Sequence, residues 1–414
     1  MKYKIIHDPV HGSIRITDLF LDLTQTPEMQ RLYGIKQLGM TYLVYPGATH
    51  TRFEHSLGTF QIAKRLARSL GIKDYDFNLL LSAALLHDVG HGPFSHTLDH
   101  IYRELLNTDH VEITKKIIEG KYNTIPSSDR KYLEAETIPE ILERYEIRPK
   151  DVSKIISDTI PKKKYLGQVI HGGMDVDRLD YLLRDAHYTG AVHGLIDLSR
   201  FISVAEIHKN ELVISRNGIT TIEQMLIGRT IMYISVYFHK TVRIAECMLS
   251  SAVERIADKM ENLIRFNDCD LVKMLEREKG YVENIVKRLK YRKLYKKAYV
   301  LPVRDVDSSS RKRLLEISEN IEARHSFEDE ICKRANIPKG SVVVDIPSRK
   351  VLNQRRQKYS TGIKVLFGSR LKPIEEFTPL AEFLEKRYIP EWAMLVASDE
   401  RYVRRVENIL KKMF

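Results

Sequence analysis

The residues with the clearest chemical potential lie in one short segment, Leu86 to His96, whose sequence is LHDVGHGPFSH. His87 and Asp88 follow an apolar run that predicts a buried helix, so one rigid element would present a nitrogen and an oxygen ligand side by side. Further imidazoles follow at His91, His96 and His100. This pattern indicates a candidate metal site, although a lone buried histidine is more often a structural core residue.

Two distant segments offer the remaining ligands. The motif RFEHS begins at Arg52 and adds His55, while the motif DVDRLDYLLRD begins at Asp175 and adds several carboxylates. Asp177 and Tyr181 are four residues apart and therefore share one face of a helix, and Arg184 and Asp185 follow one turn later. Two His and two Asp fit Mn, Fe, Zn, Ni or Co better than Ca or a thiolate-selected metal. Together, the glycines, the extra histidines and the distant Asp cluster favour the functional interpretation.

The elements that would position these residues are mainly helices. Apolar spacing predicts helices over 56–70 and 76–86, and alternation predicts one hairpin made of 202–207 and 211–215. From about Ala298 the order becomes β-α-β-β-α-β, as in a ferredoxin-like module. Strands are expected at 299–303, 342–346, 364–367 and 392–397, and helices at 309–334, 373–387 and 400–413. The predicted fold class is mainly α, a helical bundle with a β-hairpin insertion and a smaller α+β C-terminal lobe, divided into domains 1–290 and 291–414.

The composition describes an ordinary globular chain of 414 residues, 43% hydrophobic and 29% charged. This excludes disordered, collagenous and coiled-coil classes. Apolar runs are too short to cross a bilayer, and the N-terminus has no apolar segment of a secretory signal. The three cysteines, Cys247, Cys269 and Cys332, are too scattered for a disulfide framework or a CxxC zinc site. We therefore expect a cytoplasmic protein.

Charge and histidine are distributed unevenly along the chain. Residues 1–280 carry 37 Lys and Arg against 37 Asp and Glu, whereas residues 281–414 carry 30 against 18. The whole excess of +12 therefore lies in the C-terminal third, while 9 of the 15 histidines fall in the first 110 residues. The basic runs 287–293 and 355–359 contain tyrosine and could bind nucleic acid, but a solvated surface is the favoured interpretation.

Four segments resemble a known family. They are HDPVHG at 7–12, the region 35–58 that includes IKQLG, YPGA and RFEHSLG, the segment 87–96, and the segment 175–185. Together they resemble the HD-domain metal-dependent phosphohydrolases, and most closely the sterile-alpha-motif-and-HD-domain type of deoxynucleoside triphosphate triphosphohydrolase and its prokaryotic relatives. The resemblance covers residues 1–260 well and the remainder loosely. It implies an HD-domain helical bundle.

The resemblance also implies roles for individual residues. The metal ligands would be His55, His87, Asp88 and Asp177. The catalytic group would be His91 facing the α-phosphate, His96 as the catalytic histidine oriented by Asp99, and His110. The triphosphate would be held by Arg52, Arg178 and Arg229, and the sugar and base would contact Gln37, Leu38, Tyr181, Asp185 and Tyr237.

The expected reaction is hydrolysis of dNTPs to deoxynucleoside and inorganic triphosphate, with water attacking the α-phosphorus. One divalent transition metal (Mn, Fe, Zn, Ni or Co) would be the cofactor, with Mg accompanying the nucleotide. The expected partners are the dNTP substrate and further copies of the chain in a dimer or tetramer, and no membrane. An HD-type nucleotidase or phosphodiesterase, and a nucleic-acid-binding protein that uses the basic lobe, are the alternatives.

The sequence departs from regulated members of the family at the residues that read a guanine nucleotide. Gln25 and Tyr33 stand where those members have an Asp and an Arg, although Lys4 and Gln30 are retained. The carboxylate and the guanidinium that pair with a guanine edge are therefore missing. We do not expect GTP to be an obligatory activator.

Overall fold

The computed structural model describes residues 3–259, 263–346, 361–385 and 391–414. The strands are β1 Tyr3–Asp8, β2 Gly12–Thr17, β3 Ala205–His208, β4 Glu211–Ser215, β5 Lys296–Pro302, β6 Val342–Asp345, β7 Lys364–Phe367, β8 Arg370–Pro373 and β9 Trp392–Ser398. The first helices are α1 Asp18–Thr24, α2 Pro27–Arg31, α3 Arg52–Ser69, α4 Asp74–Leu86, α5 Ser95–Leu106, α6 His110–Ile118, α7 Ser127–Leu133, α8 Ile138–Arg144, α9 Pro149–Ile156 and α10 Lys164–His171. The later helices are α11 Val176–Thr189, α12 Leu198–Val204, α13 Ile219–Met232, α14 Lys240–Glu254, α15 Asp268–Glu276, α16 Tyr281–Lys290, α17 Ser308–Glu319, α18 Ile321–Arg334, α19 Leu380–Glu385 and α20 Val403–Met413.

Helices α3, α4 and α11 form the centre of the bundle. Helix α3 begins with a capping box, in which the Thr51 side chain accepts the backbone N–H of Glu54 and the Glu54 carboxylate accepts the backbone N–H of Thr51. In α4 every residue from Leu79 to Leu86 is buried. This confirms that its apolar run forms a helix enclosed by other elements, as the lack of a polar face requires.

Among the described residues before position 260, two hairpins interrupt the helices, and only one was expected there. Strands β1 and β2 pair antiparallel from Tyr3↔Thr17 to Asp8↔Gly12, a pairing that the sequence pattern did not predict. The predicted hairpin is present but starts at Ala205, because the preceding residues form α12. The Asp197 side chain caps α12 by accepting the backbone N–H of Arg200, and this local hydrogen bond favours helix over strand there.

The C-terminal lobe confirms the small sheets but arranges them differently from a ferredoxin-like module. Its strands are divided between a three-stranded sheet of order β5-β9-β6 and a four-stranded sheet of order β3-β4-β7-β8. Strand β7 pairs parallel to β4 of the predicted hairpin, with Ile214 opposite Val365. Val365 is fully buried against the main core, so burial of its apolar residues attaches this strand to the first lobe.

The C-terminal helices are shorter than the pattern predicted. The expected helix over 309–334 is two helices, α17 and α18, because Asn320 leaves helical geometry and caps α18 through the backbone N–H of Ala323. Within 373–387 the helix is confined to α19, and residues 386 and 387 lie outside the described ranges. The basic run 355–359 also lies outside them.

Two apolar cores hold the molecule together. The larger core comprises the bundle and extends into the C-terminal strands through Val343, Val365 and Trp392. The smaller core lies among β5, α17, α18, β6, β9 and α20 and includes Leu314 and Ile331. Within the described residues, no helix combines the length and apolar character needed to span a membrane.

Candidate metal centre and active site

The four predicted metal ligands lie together at the centre of the bundle. His55 Nε2 lies 3.0 Å from Asp177 Oδ1 and 3.3 Å from His87 Nε2. Asp88 Oδ1 lies 3.4 Å from His87 Nε2, and Asp88 Oδ2 lies 3.8 Å from His55 Nε2. Ligand atoms of His55, His87 and Asp177 all lie within 4.8 Å of one another. The structure therefore brings the imidazole nitrogens of His55 and His87 and the Asp177 carboxylate to one point, with the Asp88 carboxylate beside them.

Three elements supply these ligands from their ends. His55 is in the first turn of α3, and His87 and Asp88 directly follow the last residue of α4. Asp177 is in the first turn of α11, whose N-cap, Asp175, accepts the backbone N–H of Arg178. Because buried helices are rigid, the ligand atoms are held in place before any ion binds.

The outer nitrogen of each histidine is already used, which is what a metal site requires. His87 Nδ1 lies 2.9 Å from the carbonyl oxygen of Ala84, and His55 Nδ1 lies 2.8 Å from Asp180 Oδ2. A carbonyl or carboxylate oxygen can only accept, so Nδ1 carries a proton in both rings and Nε2 is the nitrogen that faces the centre as a metal ligand. The donor set therefore fits a divalent transition metal.

The electrostatics of the group favour bound positive charge. Burial opposes a charge on His55, but the hydrogen bonds with Asp177 and Asp180 outweigh burial and raise its pKa to about 10. Burial also opposes the charge on Asp177, yet His55 and His87 hold its pKa well below the usual range. The negative electrostatic potential of the centre is thus strong enough to protonate an imidazole. A bound metal cation would neutralise the same potential.

His91 and His110 of the predicted catalytic group lie next to the predicted metal ligands. Their rings stack with centroids 4.1 Å apart at 15°, and His91 Nε2 lies 3.2 Å from Asp88 Oδ1. Gly90 makes this arrangement possible, because a Cβ there would lie 2.5 Å from the carbonyl oxygen of His110. Burial lowers the pKa of His91, and nearby Arg52 lowers it further. Burial likewise lowers the pKa of His110, so both rings are neutral at pH 7.

His96 and Asp99 form a looser pair at the start of α5. His96 Nδ1 lies 3.7 Å from Asp99 Oδ2, and 62% of the His96 side chain is exposed. The His96 ring contacts His91 edge-on at 5.7 Å between centroids. His96 is therefore the member of the group that solvent and an incoming molecule can reach, and a small movement would complete its hydrogen bond with Asp99.

The three predicted phosphate-binding arginines are held by different contacts. Arg52 is 1% exposed and donates from Nη1 to Asp88 Oδ2 at 2.5 Å. Its Nε and Nη2 are buried and have no partner among the described residues. Arg178 donates to the carbonyl oxygen of Gly173, and Arg229 lies over the ring of Tyr233 at 5.0 Å. An anionic ligand bound beside the predicted metal ligands would accept hydrogen bonds from these buried, unpaired N–H groups.

The predicted sugar-binding residues form a second connected group. Asp185 accepts the hydroxyl proton of Tyr237 at 2.7 Å, and its other oxygen contacts His50 Nε2 at 2.7 Å. Tyr181 meets the ring of Tyr237 edge-on at 6.2 Å between centroids. The single turn of π-helix over Tyr233–Tyr237 sets the position of Tyr237. Tyr237 thus packs against the core of the bundle and also donates a hydrogen bond to Asp185.

Sequence reasoning missed His50, and the surrounding chain shows its role. The backbone N–H of Gln37 donates to the carbonyl oxygen of His50 at 3.0 Å. This hydrogen bond places the backbone of Gln37 next to His50, whose side chain contacts Asp185. Gln37 is 6% exposed, and its Oε1 is buried without a partner among the described residues. The position of His50, two residues before RFEHS, was the available signal.

Comparison with known proteins agrees with this geometry. A model of the HD domain matches residues 52–185, and a model of the HD associated region matches residues 196–414. The chain belongs to the HD-domain phosphohydrolases. HD domains bind divalent metal, and the His55 cluster is the candidate group for it in this HD-domain chain.

Individual relatives place the chain within this family. An uncharacterized protein of Methanocaldococcus jannaschii is 30% identical over 99% of this chain and 84% of its own length. Deoxynucleoside triphosphate triphosphohydrolase SAMHD1 of Bos taurus is 31% identical over 62% of this chain, and the match spans only 48% of that protein. The crystal structure of a phosphohydrolase from Bacteroides thetaiotaomicron has a TM-score of 0.70 at 26% identity, covering 96% of this chain and all of that one.

The basic run 287–293 comprises the end of α16 and the residues that follow it. Together with Asp399 and Arg401 it lines an open groove of about 730 Å³. Arg288 is paired with Asp399, and Arg292 donates to the carbonyl oxygen of Leu43 at 2.7 Å. Part of this positive charge is therefore used within the fold.

Proposed function

We propose that this HD-domain phosphohydrolase cleaves dNTPs into deoxynucleoside and inorganic triphosphate. The observation that carries the proposal is Arg52, a fully buried guanidinium that has two unpartnered N–H groups and lies directly beside the predicted metal ligands. An uncompensated buried donor is costly, so the site is built for an anion that reaches the metal and Arg52 together. A phosphoryl group of a nucleotide has that charge and shape.

In this proposal, His55, His87, Asp88 and Asp177 hold one divalent transition metal, and Mg accompanies the nucleotide. When bound, the metal supplies Lewis acidity at the phosphoryl oxygen and activates water. Arg52, Arg178 and Arg229 bind the triphosphate and neutralise the charge of the departing group.

Proton transfer is assigned to the exposed histidine. His96 donates a proton to the 5′-oxygen as it leaves, and Asp99 holds the proton on Nδ1 so that Nε2 faces the substrate. His91 is buried, His110 is half-buried and both are neutral, so they orient the α-phosphate by hydrogen bonding rather than by charge. General acid catalysis of this kind contributes roughly 10²- to 10⁴-fold in rate.

The sugar is read by the second group. Asp185 is fixed from two sides by Tyr237 and His50, and it accepts a hydrogen bond from the 3′-hydroxyl. The rings of Tyr181 and Tyr237 pack against the sugar, and Gln37 and Leu38 contact the sugar and base. Tyr237 leaves no room or partner for a 2′-hydroxyl, so deoxynucleotides are preferred.

Product analysis tests the proposal. The purified protein is incubated with each dNTP and NTP in the presence of Mn²⁺, and the products are resolved by ion-exchange chromatography. We expect deoxynucleoside and intact triphosphate from dNTPs, and neither product from Asp177→Ala, which removes a metal ligand. Glu322→Gln, an exposed substitution on α18, is the matched control and should behave as wild type. Sequential dNDP and dNMP would contradict the proposal and indicate a general nucleotidase.

Two alternatives are separated by the same protein preparations. Turnover of nucleoside monophosphates or phosphodiesters in preference to dNTPs would identify an HD-type nucleotidase or phosphodiesterase, for which three arginines are excessive. The basic groove at 287–293 is the observation that favours a nucleic-acid-binding protein. Salt-dependent binding of DNA or RNA that survives Asp177→Ala, without dNTP turnover, would favour that function. We also propose a homo-oligomer, dimer or tetramer, which light scattering measures directly.

A further inference from the structure

Two conspicuous sequence features have no role in the proposed chemistry, and the structure joins them. One is the HDPVHG turn between β1 and β2, and the other is Asp180 in α11. His11 Nε2 of the turn lies 2.5 Å from Asp180 Oδ1, and the two side chains are 3% and 0% exposed. A fully buried contact between residues so distant in sequence connects the N-terminal hairpin to the interior of the bundle.

Asp180 is surrounded by hydrogen-bond donors. Oδ1 accepts from His11 Nε2 at 2.5 Å and from Arg184 Nη2 at 3.1 Å. Oδ2 accepts from His55 Nδ1 at 2.8 Å and from Arg184 Nε at 2.9 Å. One of these four donors is the outer nitrogen of a proposed metal ligand. Asp180 therefore determines the orientation and the protonated nitrogen of the His55 ring.

The hairpin turn is itself held rigidly against this network. Asp8 Oδ2 accepts from Arg184 Nη1 at 2.8 Å, while Asp8 Oδ1 accepts the backbone N–H groups of Val10 and His11 at 2.9 and 2.7 Å. The Asp8 carboxylate thus shapes the turn that presents His11 and ties the same turn to α11. Asp180 has donors on both of its own oxygens and cannot rotate, so Oδ2 of Asp180 stays aligned with Nδ1 of His55.

We propose that Asp180 is a positioning residue for the metal centre and that His11 holds Asp180 in place, so that the N-terminal hairpin sets metal affinity. The inference rests on the metal-binding part of the proposed function. It assigns the HDPVHG motif a role that neither substrate contact nor metal ligation provides. His87, by comparison, is oriented only by the carbonyl oxygen of Ala84 among its described contacts outside the cluster.

Metal affinity tests the inference without any measurement of turnover. Apparent dissociation constants for Zn²⁺ and Co²⁺ are measured by competition with a chromophoric chelator. Asp180→Asn and His11→Leu should each weaken binding by roughly 10- to 100-fold, the usual effect of an outer-sphere partner. His11→Gln, whose side-chain amide can still donate to Asp180, should recover to within a few-fold of wild type. His7→Ala is the matched control, because His7 is exposed on the same hairpin, and should leave binding unchanged.

Thermal unfolding in excess chelator accompanies each variant, so that a loss of fold is seen separately from a loss of affinity. If His11→Leu does not fold, the comparison of Asp180→Asn with wild type decides. Wild-type affinity in folded His11→Leu, or in Asp180→Asn, would overturn the inference. A wild-type protein that binds no divalent metal would overturn the proposed function itself. If the variants weaken metal binding as expected but the wild type does not turn over dNTPs, the positioning role stands and only the proposed dNTPase activity is refuted.

Discussion

At the residue scale, the same few side chains serve both the fold and the proposed chemistry. Asp88 accepts from Arg52 while facing His87, and Asp185 accepts from both Tyr237 and His50. Each functional group is thus oriented by a neighbour whose own position is fixed by burial. Such preorganisation is what allows hydrogen bonds to distinguish between closely similar substrates.

Tyr237 gives the sharpest residue-scale prediction, because one ring would exclude the 2′-hydroxyl. Tyr237→Ala should raise kcat/KM for ATP relative to dATP by roughly 5- to 150-fold, which corresponds to about 1–3 kcal/mol for an unpaired hydroxyl. Tyr237→Phe is the matched control. It keeps the ring and so the preference for dATP, but it loses the hydrogen bond to Asp185 and should slow both substrates. An unchanged ratio of dATP to ATP turnover in Tyr237→Ala would show that the sugar is read elsewhere.

At the element scale, the close approach of α3 and α11 positions the metal ligands. Gly58 allows this contact, since a Cβ there would lie 1.8 Å from Asp180 Oδ1 and 2.4 Å from Arg184 Nη2. Any larger residue must separate the two helices or break a fully buried ion pair. Either change would also pull Asp180 away from His55.

Gly58→Ala should therefore destabilise the protein, although alanine is normally the better helix former. We expect the free energy of unfolding to fall by about 3 kcal/mol, from overpacking and disruption of the buried pair. Urea denaturation measures this change. Arg68→Ala, at an exposed position of the same helix, is the control and should have little effect. A stability equal to wild type in Gly58→Ala would mean that the helices adjust without cost.

The sequence predicted local elements better than it predicted long-range pairing. The helical spacing around Leu79–Leu86 and the His-Asp motifs are local signals, and the structure confirms the buried helix. The parallel pairing of β4 with β7 joins strands that are far apart in the chain, so no local pattern indicates it. His50 was missed for the same reason, since its partner Asp185 is distant in sequence. The candidate ligand motifs can be recognised in the sequence because they are short, whereas the contacts that support them are non-local.

At the scale of the whole molecule, α14 joins the bundle to the C-terminal lobe through buried charge. Glu254 accepts from His100 of α5 at 2.6 Å and contacts both Arg324 and His325 of α18, at 2.6 and 2.8 Å. Nearby Glu328 is 6% exposed and accepts the backbone N–H of Val344 at 2.9 Å. Burial raises the pKa of Glu328 to about 7. The junction between the lobes therefore contains an acid that is neutral when folded at mildly acidic pH.

Glu328 should make stability depend on pH. Between pH 4.5 and 7 the folded state keeps a proton that the unfolded state has lost, so this group's contribution to stability falls as pH rises through that window. Glu328→Gln keeps the acceptor and removes the titration. The stability of wild type relative to Glu328→Gln should decrease by about 3 kcal/mol between pH 4.5 and 7.5. Urea denaturation at both pH values measures it, with the exposed substitution Glu322→Gln as control. A difference that is independent of pH would refute the raised pKa.

The most direct test of the central claim is to identify the atom that water attacks. Hydrolysis of dATP in H₂¹⁸O with Mn²⁺ is followed by mass spectrometry of both products. The positions of Arg52, His91 and His96 beside the predicted metal ligands favour attack at the α-phosphorus. This attack should place one ¹⁸O in the triphosphate and none in the deoxyadenosine. Label in the 5′-hydroxyl of the nucleoside, or label in inorganic phosphate released stepwise, would contradict the account.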